Sequence, residues 1–158
     1  MKLIRNALIL LSSTTILLIA AITLTDILIR ALSGQAAIAA YELTSTLMPF
    51  VVFLALPIIT LEKSHISINL IDSVVPKDYA WILDAISSIL GMIVLWIIAG
   101  AAWKLGVRAL DWNTTTTILQ IPLGYVILFI SVSLKLTSVI YGIQLIQLMI
   151  QNLKKDTV

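Results

Sequence analysis

The residues best equipped for chemistry are ionisable groups set inside or beside long apolar runs. Asp26 and Arg30 stand four apart in the first run, the spacing that pairs two charges along one helix face. An acid in a membrane can relay protons, but this one lies near the end of its run with a cation beside it, so a structural pair is expected. Lys135 lies about fourteen residues into the last run, roughly 20 Å along a helix. A lysine stem does not easily reach water from there, so its ammonium needs a carboxylate, carbonyls or a polar groove. Asp26 is a candidate partner within the chain and a second subunit is the alternative. Glu42 opens the second run, where a carboxylate favours the positive end of the helix dipole; contact with another subunit is the other reading. Lys104 can carry its charge outward on its stem, and Arg108 with Asp111 reads as a solvated pair.

Other chemistry is missing. There is one histidine, His65, and no cysteine, which removes disulfides and thiolate chemistry. A haem-anchoring membrane subunit commonly uses histidines inside its helices, whereas His65 stands alone at a helix end. Nucleophile elbows, phosphate-binding glycine loops and zinc spacings are lacking. The expectation is a chain with no catalytic, cofactor-binding or metal-binding residues, and no enzyme.

The elements that carry these groups follow from composition. The 158 residues are 60% hydrophobic and 11% charged, with mean hydropathy +1.10. Soluble domains are about half apolar and about a quarter charged, so the excess must face lipid. About 20 apolar residues cross a bilayer, and four segments qualify: 6–32, 41–61, 79–108 and 121–150. A cleaved signal peptide over Met1 to Ala21 is disfavoured because the run continues through Ile22, Leu24, Ile27 and Leu28. Ser33-Gly34 ends the first span. Pro49 and Pro57 interrupt the second, which is tolerated where neighbouring helices satisfy the freed carbonyls. Pro122 falls early enough for the first turn of the fourth.

Between the second and third spans, residues 64–76 carry His65, Ile66, Leu70, Ile71, Val74 and Val75 at helical spacing, which predicts a short amphipathic helix in the interface plane. The fold class is therefore an all-α integral membrane protein, one domain over 1–158, with four transmembrane helices plus that interfacial helix between the second and third. Lys2, Arg5, Lys63, Lys77, Lys154 and Lys155 fall on one side and only Arg30 and Arg108 on the other, which puts both termini in the cytoplasm. Tyr79 and Trp81 mark one interface of the third span, Trp103 and Trp112 the other. The net charge of +2 belongs to these flanks, so the partner is the lipid bilayer and not nucleic acid.

On the third span, a turn of about 100° per residue gathers Asp84, Ser88, Gly91, Leu95, Ala102 and Gly106 into one stripe. Small residues let helix backbones approach closely, so this stripe faces protein. Trp96 and Trp103 flank it. Lys135, on the fourth span, is a further candidate for helix packing or subunit contact.

Tyr41-Glu42-Leu43, Phe53-Leu54, His65-Ile66-Ser67-Ile68-Asn69-Leu70 and Pro76 together resemble the small membrane subunit of tripartite ATP-independent periplasmic (TRAP) transporters, the DctQ-like family. Asp26, Arg30, Gly106 and Leu119-Gln120-Ile121-Pro122 with Tyr125 fit the same pattern, and the resemblance covers nearly the whole chain. The family often has Asp where Asn69 stands, and glycine near Lys63-Ser64. The resemblance implies a bacterial inner-membrane protein with two partners: a periplasmic substrate-binding protein and a large membrane subunit. The large subunit resembles a sodium-driven elevator and holds solute and sodium, so this chain needs no cofactor. The small subunit braces the fixed scaffold for uptake of an organic anion, of the carboxylate or sialic acid class. Its outer ends are candidates for docking the binding protein.

Two other classes compete. An autonomous four-helix drug/proton exporter wants an acid deep in its first helix, and Asp26 is neither deep nor uncompensated. A membrane anchor of a redox enzyme wants more than the single His65.

Overall fold

The structure, a computed structural model, describes residues 2–34, 38–61 and 80–155. These form four helices: α1 (Lys2–Ser33), α2 (Ile38–Leu61), α3 (Ala80–Asp111) and α4 (Leu123–Lys155). All four are long and apolar enough to span a bilayer, over Arg5–Ser33, Ile38–Leu61, Ala85–Asp111 and Leu123–Ile150. The four-helix expectation is met. The expected interfacial helix over 64–76, with His65, Ile66, Leu70 and Val74, lies outside the described residues. The fourth helix begins at Leu123, so Pro122 stands just ahead of its first turn rather than in it.

Many side-chain hydroxyls are satisfied within their own helix, as suits a lipid environment. On α1 the hydroxyls of Thr14, Thr15, Thr23 and Thr25 donate to the carbonyls four residues back, at 2.7–2.8 Å. A hydroxyl that would hang unpaired in hydrocarbon is folded into the ladder instead. The helix stops at Gly34, whose φ of +71° is costly for residues with a Cβ, and whose N–H donates to the Arg30 carbonyl at 3.0 Å.

The packing order is not the chain order. α1 packs on α2, α2 on α4, and α4 on α3, so the last helix sits between the second and third. α1 engages through one stripe only: Leu8, Ser12, Thr15, Ile19, Ile22 and Asp26 are shielded at alternating spacings of four and three, while Leu10, Leu17, Leu24 and Leu28 stand exposed. That four-three rhythm is the seam of a left-handed helix pair.

The interior is rich in small polar residues and the exterior is greasy. Thr46, Thr60, Ser88, Ser131, Ser133, Thr137 and Ser138 are buried, whereas leucines and isoleucines of α1 and α3 are exposed. In water this would be inverted. In a bilayer, lipid tails are as apolar as leucine, so close packing and interhelical hydrogen bonds select the interior.

Candidate functional site

The α3–α4 seam is built mostly from small residues in a matched heptad, with the backbone of Met92 completing it. On α4 they are Gly124, Ser131 and Ser138; on α3 they are Gly106, Ala99 and Met92, read in the opposite direction. Seven residues along one helix correspond to seven back along the other, as an antiparallel pair with a 3.5-residue period demands. At the first rung, a Cβ on Gly124 would lie 2.5 Å from Leu110 Cγ and 3.0 Å from the Gly106 carbonyl oxygen. At the second, Ser131 Oγ donates to the Ala99 carbonyl at 2.7 Å. At the third, Ser138 Oγ donates to the Met92 carbonyl at 2.8 Å. Elsewhere along the seam, a methyl on Gly91 would meet the Tyr141 ring at 3.2 Å, and one on Gly106 would meet Leu128 at 2.9 Å. Of the stripe read from the sequence, Ser88 and Gly106 are buried, Gly91, Leu95 and Ala102 are half-buried, and the side chain of Asp84 lies outside those described. Ala99, fully buried at the centre, was missed; the heptad on α4 would have found it.

The α2–α4 contact answers Pro57. Pro57 has no N–H, and the carbonyl it deprives is that of Phe53, four residues back. Ser133 Oγ of α4 donates to that carbonyl. About three turns further along α4, Gln144 Nε2 donates to the Thr60 carbonyl near the end of α2, where helical carbonyls run out of partners. Phe50 and Phe129 stack between the same helices with centroids 4.5 Å apart.

Glu42 has a different job from the one its position suggested. α2 begins at Ile38, so Glu42 is a full turn inside it. Its carboxylate accepts the backbone N–H groups of Ile118 at 2.9 Å and Leu119 at 2.9 Å. Those amides lie in the loop joining α3 to α4. That loop is compact: α3 ends with Asn113 at φ +48°, with Asn113 N–H donating to Leu110 and Thr114 N–H to Ala109, the paired bonds of a Schellman cap. Thr115 and Pro122 then form an antiparallel bridge. The glutamate therefore clamps the α3–α4 loop onto the start of α2, tying together segments 76 residues apart in sequence.

The remaining charges sort by surroundings. Arg30 donates to Asp26 at 2.9 Å, so Asp26 is not the partner of Lys135. The pair lines a cleft of about 390 Å³ between the ends of α1 and α2, with Thr23, Tyr41 and Thr44. Arg108 lies 6.0 Å from the centroid of Trp112, and no ion pair joins it to Asp111 among the described residues. Lys104 is exposed, away from the seam. Lys135 Nζ sits 4.5 Å from the centroid of the Trp103 ring, a cation–π contact. Helical side chains lean toward their own N-termini; on antiparallel helices, Lys135 and Trp103 therefore converge near the Ser131–Ala99 rung. Trp103, expected at the membrane interface, is also the ring under this ammonium.

What results is a wall of helices with a tight, hydrogen-bonded interior, a clamped loop and broad apolar faces. A protein-family model matches residues 19–151, described as the DctQ component of tripartite ATP-independent periplasmic transporters. The chain belongs to the DctQ family. It is thus the small component of a TRAP transporter and a multi-pass membrane protein, as the resemblance implied. The match begins within α1 and ends within α4, so the α2–α4 and α3–α4 contacts described above fall inside the DctQ region, with the later part of the α1 stripe. No curated protein and no solved structure matches the chain.

Proposed function

We propose that this DctQ chain is the non-catalytic small subunit that scaffolds the large elevator-type membrane subunit, for sodium-coupled uptake of an organic anion delivered by a periplasmic binding protein. The observation that carries the reading is the family match combined with the interior: the α3–α4 seam is filled by Gly124–Gly106, Ser131–Ala99 and Ser138–Met92 contacts, and its polar groups are spent on helix–helix hydrogen bonds.

Such an interior supports bracing. An elevator needs a part held at constant depth while another slides. Helices of 32 and 33 residues exceed the ~30 Å hydrocarbon thickness at about 1.5 Å per residue, which resists vertical displacement. Exposed apolar faces on α1 and α3 give lipid and a partner subunit surface to cover. Both termini lie in the cytoplasm and the clamped α3–α4 loop faces the periplasm in this reading, where it is available to the binding protein. The pairing of Asp26 with Arg30 speaks against the autonomous proton-coupled exporter.

Purification of the tagged chain from its native membranes tests the proposal. Recovery of the large TRAP membrane subunit in stoichiometric amount is expected. A chain that purifies alone, monodisperse and equally stable in cells lacking the large subunit, contradicts it.

A further inference from the structure

Lys135 is a cation placed where a cation is hard to keep. It lies twelve residues beyond Leu123, about 18 Å along α4, past the middle of a ~30 Å hydrocarbon layer. Its ammonium has three N–H donors. Among the described residues its one partner is the face of Trp103, at 4.5 Å, and Asp26 is held by Arg30. A ring face accepts charge but does not satisfy three donors. Lys135 is half-buried and Trp103 is 42% exposed, so the pair is open on the side away from the seam. The surface beside the pair is apolar and indented: Trp96 (57% exposed) and Val139 (52% exposed) line a cleft of about 350 Å³ with Ser138, one turn along α4 from the Lys135 backbone.

We propose that the Lys135–Trp103 notch is the docking point for a transmembrane helix of the large subunit that presents a carboxylate at this depth. The proposal rests on the subunit reading given above. Charge complementarity selects the occupant. A lipid phosphate lies outside the hydrocarbon layer, beyond the reach of a lysine stem at this position. A purely apolar helix would seal the ammonium away with its donors unsatisfied. A carboxylate completes the ammonium's hydrogen bonds, and the cleft beside it receives the neighbouring side chains of the same helix. Trp103 keeps the ammonium aimed outward before the partner arrives.

The test uses the tagged chain co-expressed with the large subunit of its own transporter. Lys135→Met keeps the stem and removes the charge, and Lys135→Arg keeps the charge. Recovery of the complex is expected to fall by about tenfold or more with Lys135→Met, since the partner's carboxylate is left buried without its cation. Lys135→Arg is expected to retain most of it. The Lys135→Met chain alone in detergent should unfold no more easily than wild type, because a poorly compensated charge has been removed. A photo-crosslinker in place of Val139 should attach to the large subunit. The proposal is overturned if Lys135→Met assembles at the wild-type level, if that variant fails to fold alone, or if the crosslinker captures only lipid. Failure of the wild-type chain to bring down the large subunit would overturn the subunit reading itself, and this inference with it.

Discussion

Removing one hydroxyl from α4 should weaken the fold only as long as Pro57 stands opposite it. Phe53 C=O has lost its helical donor to Pro57 and takes Ser133 Oγ–H instead. Both Pro57 and Ser133 are buried, so water does not replace the bond. Leaving a buried acceptor unsatisfied costs about 1–3 kcal/mol in general, and interhelical bonds in membranes measure about 0.6 kcal/mol on average with a ceiling near 1.7. Ser133→Ala should therefore cost about 1 kcal/mol, roughly a fivefold shift in the folding equilibrium. Pro57→Ala restores an N–H at position 57 that can donate to Phe53, so Ser133→Ala in that background should cost close to nothing. The double-mutant cycle isolates this coupling from whatever the lost ring contacts of Pro57 contribute. Unfolding by SDS in mixed micelles, followed by tryptophan fluorescence, reads all four variants. Equal cost of Ser133→Ala in both backgrounds would refute the reasoning.

Other substitutions probe other contacts by the same unfolding assay unless stated. Ser12 Oγ is buried without a hydrogen-bond partner among the described residues; Ser12→Ala should be neutral or stabilise by up to about 1 kcal/mol, the opposite sign to Ser133→Ala. Gly124→Ala places a methyl 2.5 Å from Leu110 and against the Gly106 carbonyl, so the α3–α4 seam must open, at about 1–3 kcal/mol of overpacking. Glu42→Ala removes the acceptor of the Ile118 and Leu119 amides, and hydrogen exchange at those two amides should quicken while the Ser131 region stays protected. Asp26→Asn loosens a partly exposed i,i+4 pair and should shift stability by less than about 1 kcal/mol.

How much of this was legible in the sequence depends on whether one helix or two had to be known. Single-helix features were readable: the four spans from their apolar length, the end of α1 at Gly34, the Asp26–Arg30 pair from its spacing. The small-residue face of α3 was readable in part through Ser88, Gly91 and Gly106, since 100° periodicity collects them without a partner. Ala99 escaped because alanine carries little signal until Ser131 is set opposite it. Pro57's need for an outside donor followed from proline chemistry. That Ser133 supplies it requires α4 to lie beside α2, which chain order does not reveal. Glu42 was misjudged for a related reason: its amide donors come from a loop 76 residues away, and nothing local distinguishes a clamp from a dipole partner. Trp103 lay too close to the end of α3 to suggest a lysine near mid-span, until the opposed lean of side chains on antiparallel helices brought the two together.

The central claim is that this DctQ chain braces a transporter and moves nothing unaided. Proteoliposomes under an inward sodium gradient, supplied with the binding protein and its solute, test it by comparing three membranes: this chain alone, the large subunit alone, and both. Uptake only where both are present is the expected result. Accumulation of solute by vesicles holding this chain alone, or undiminished uptake by the large subunit without it, would contradict the account.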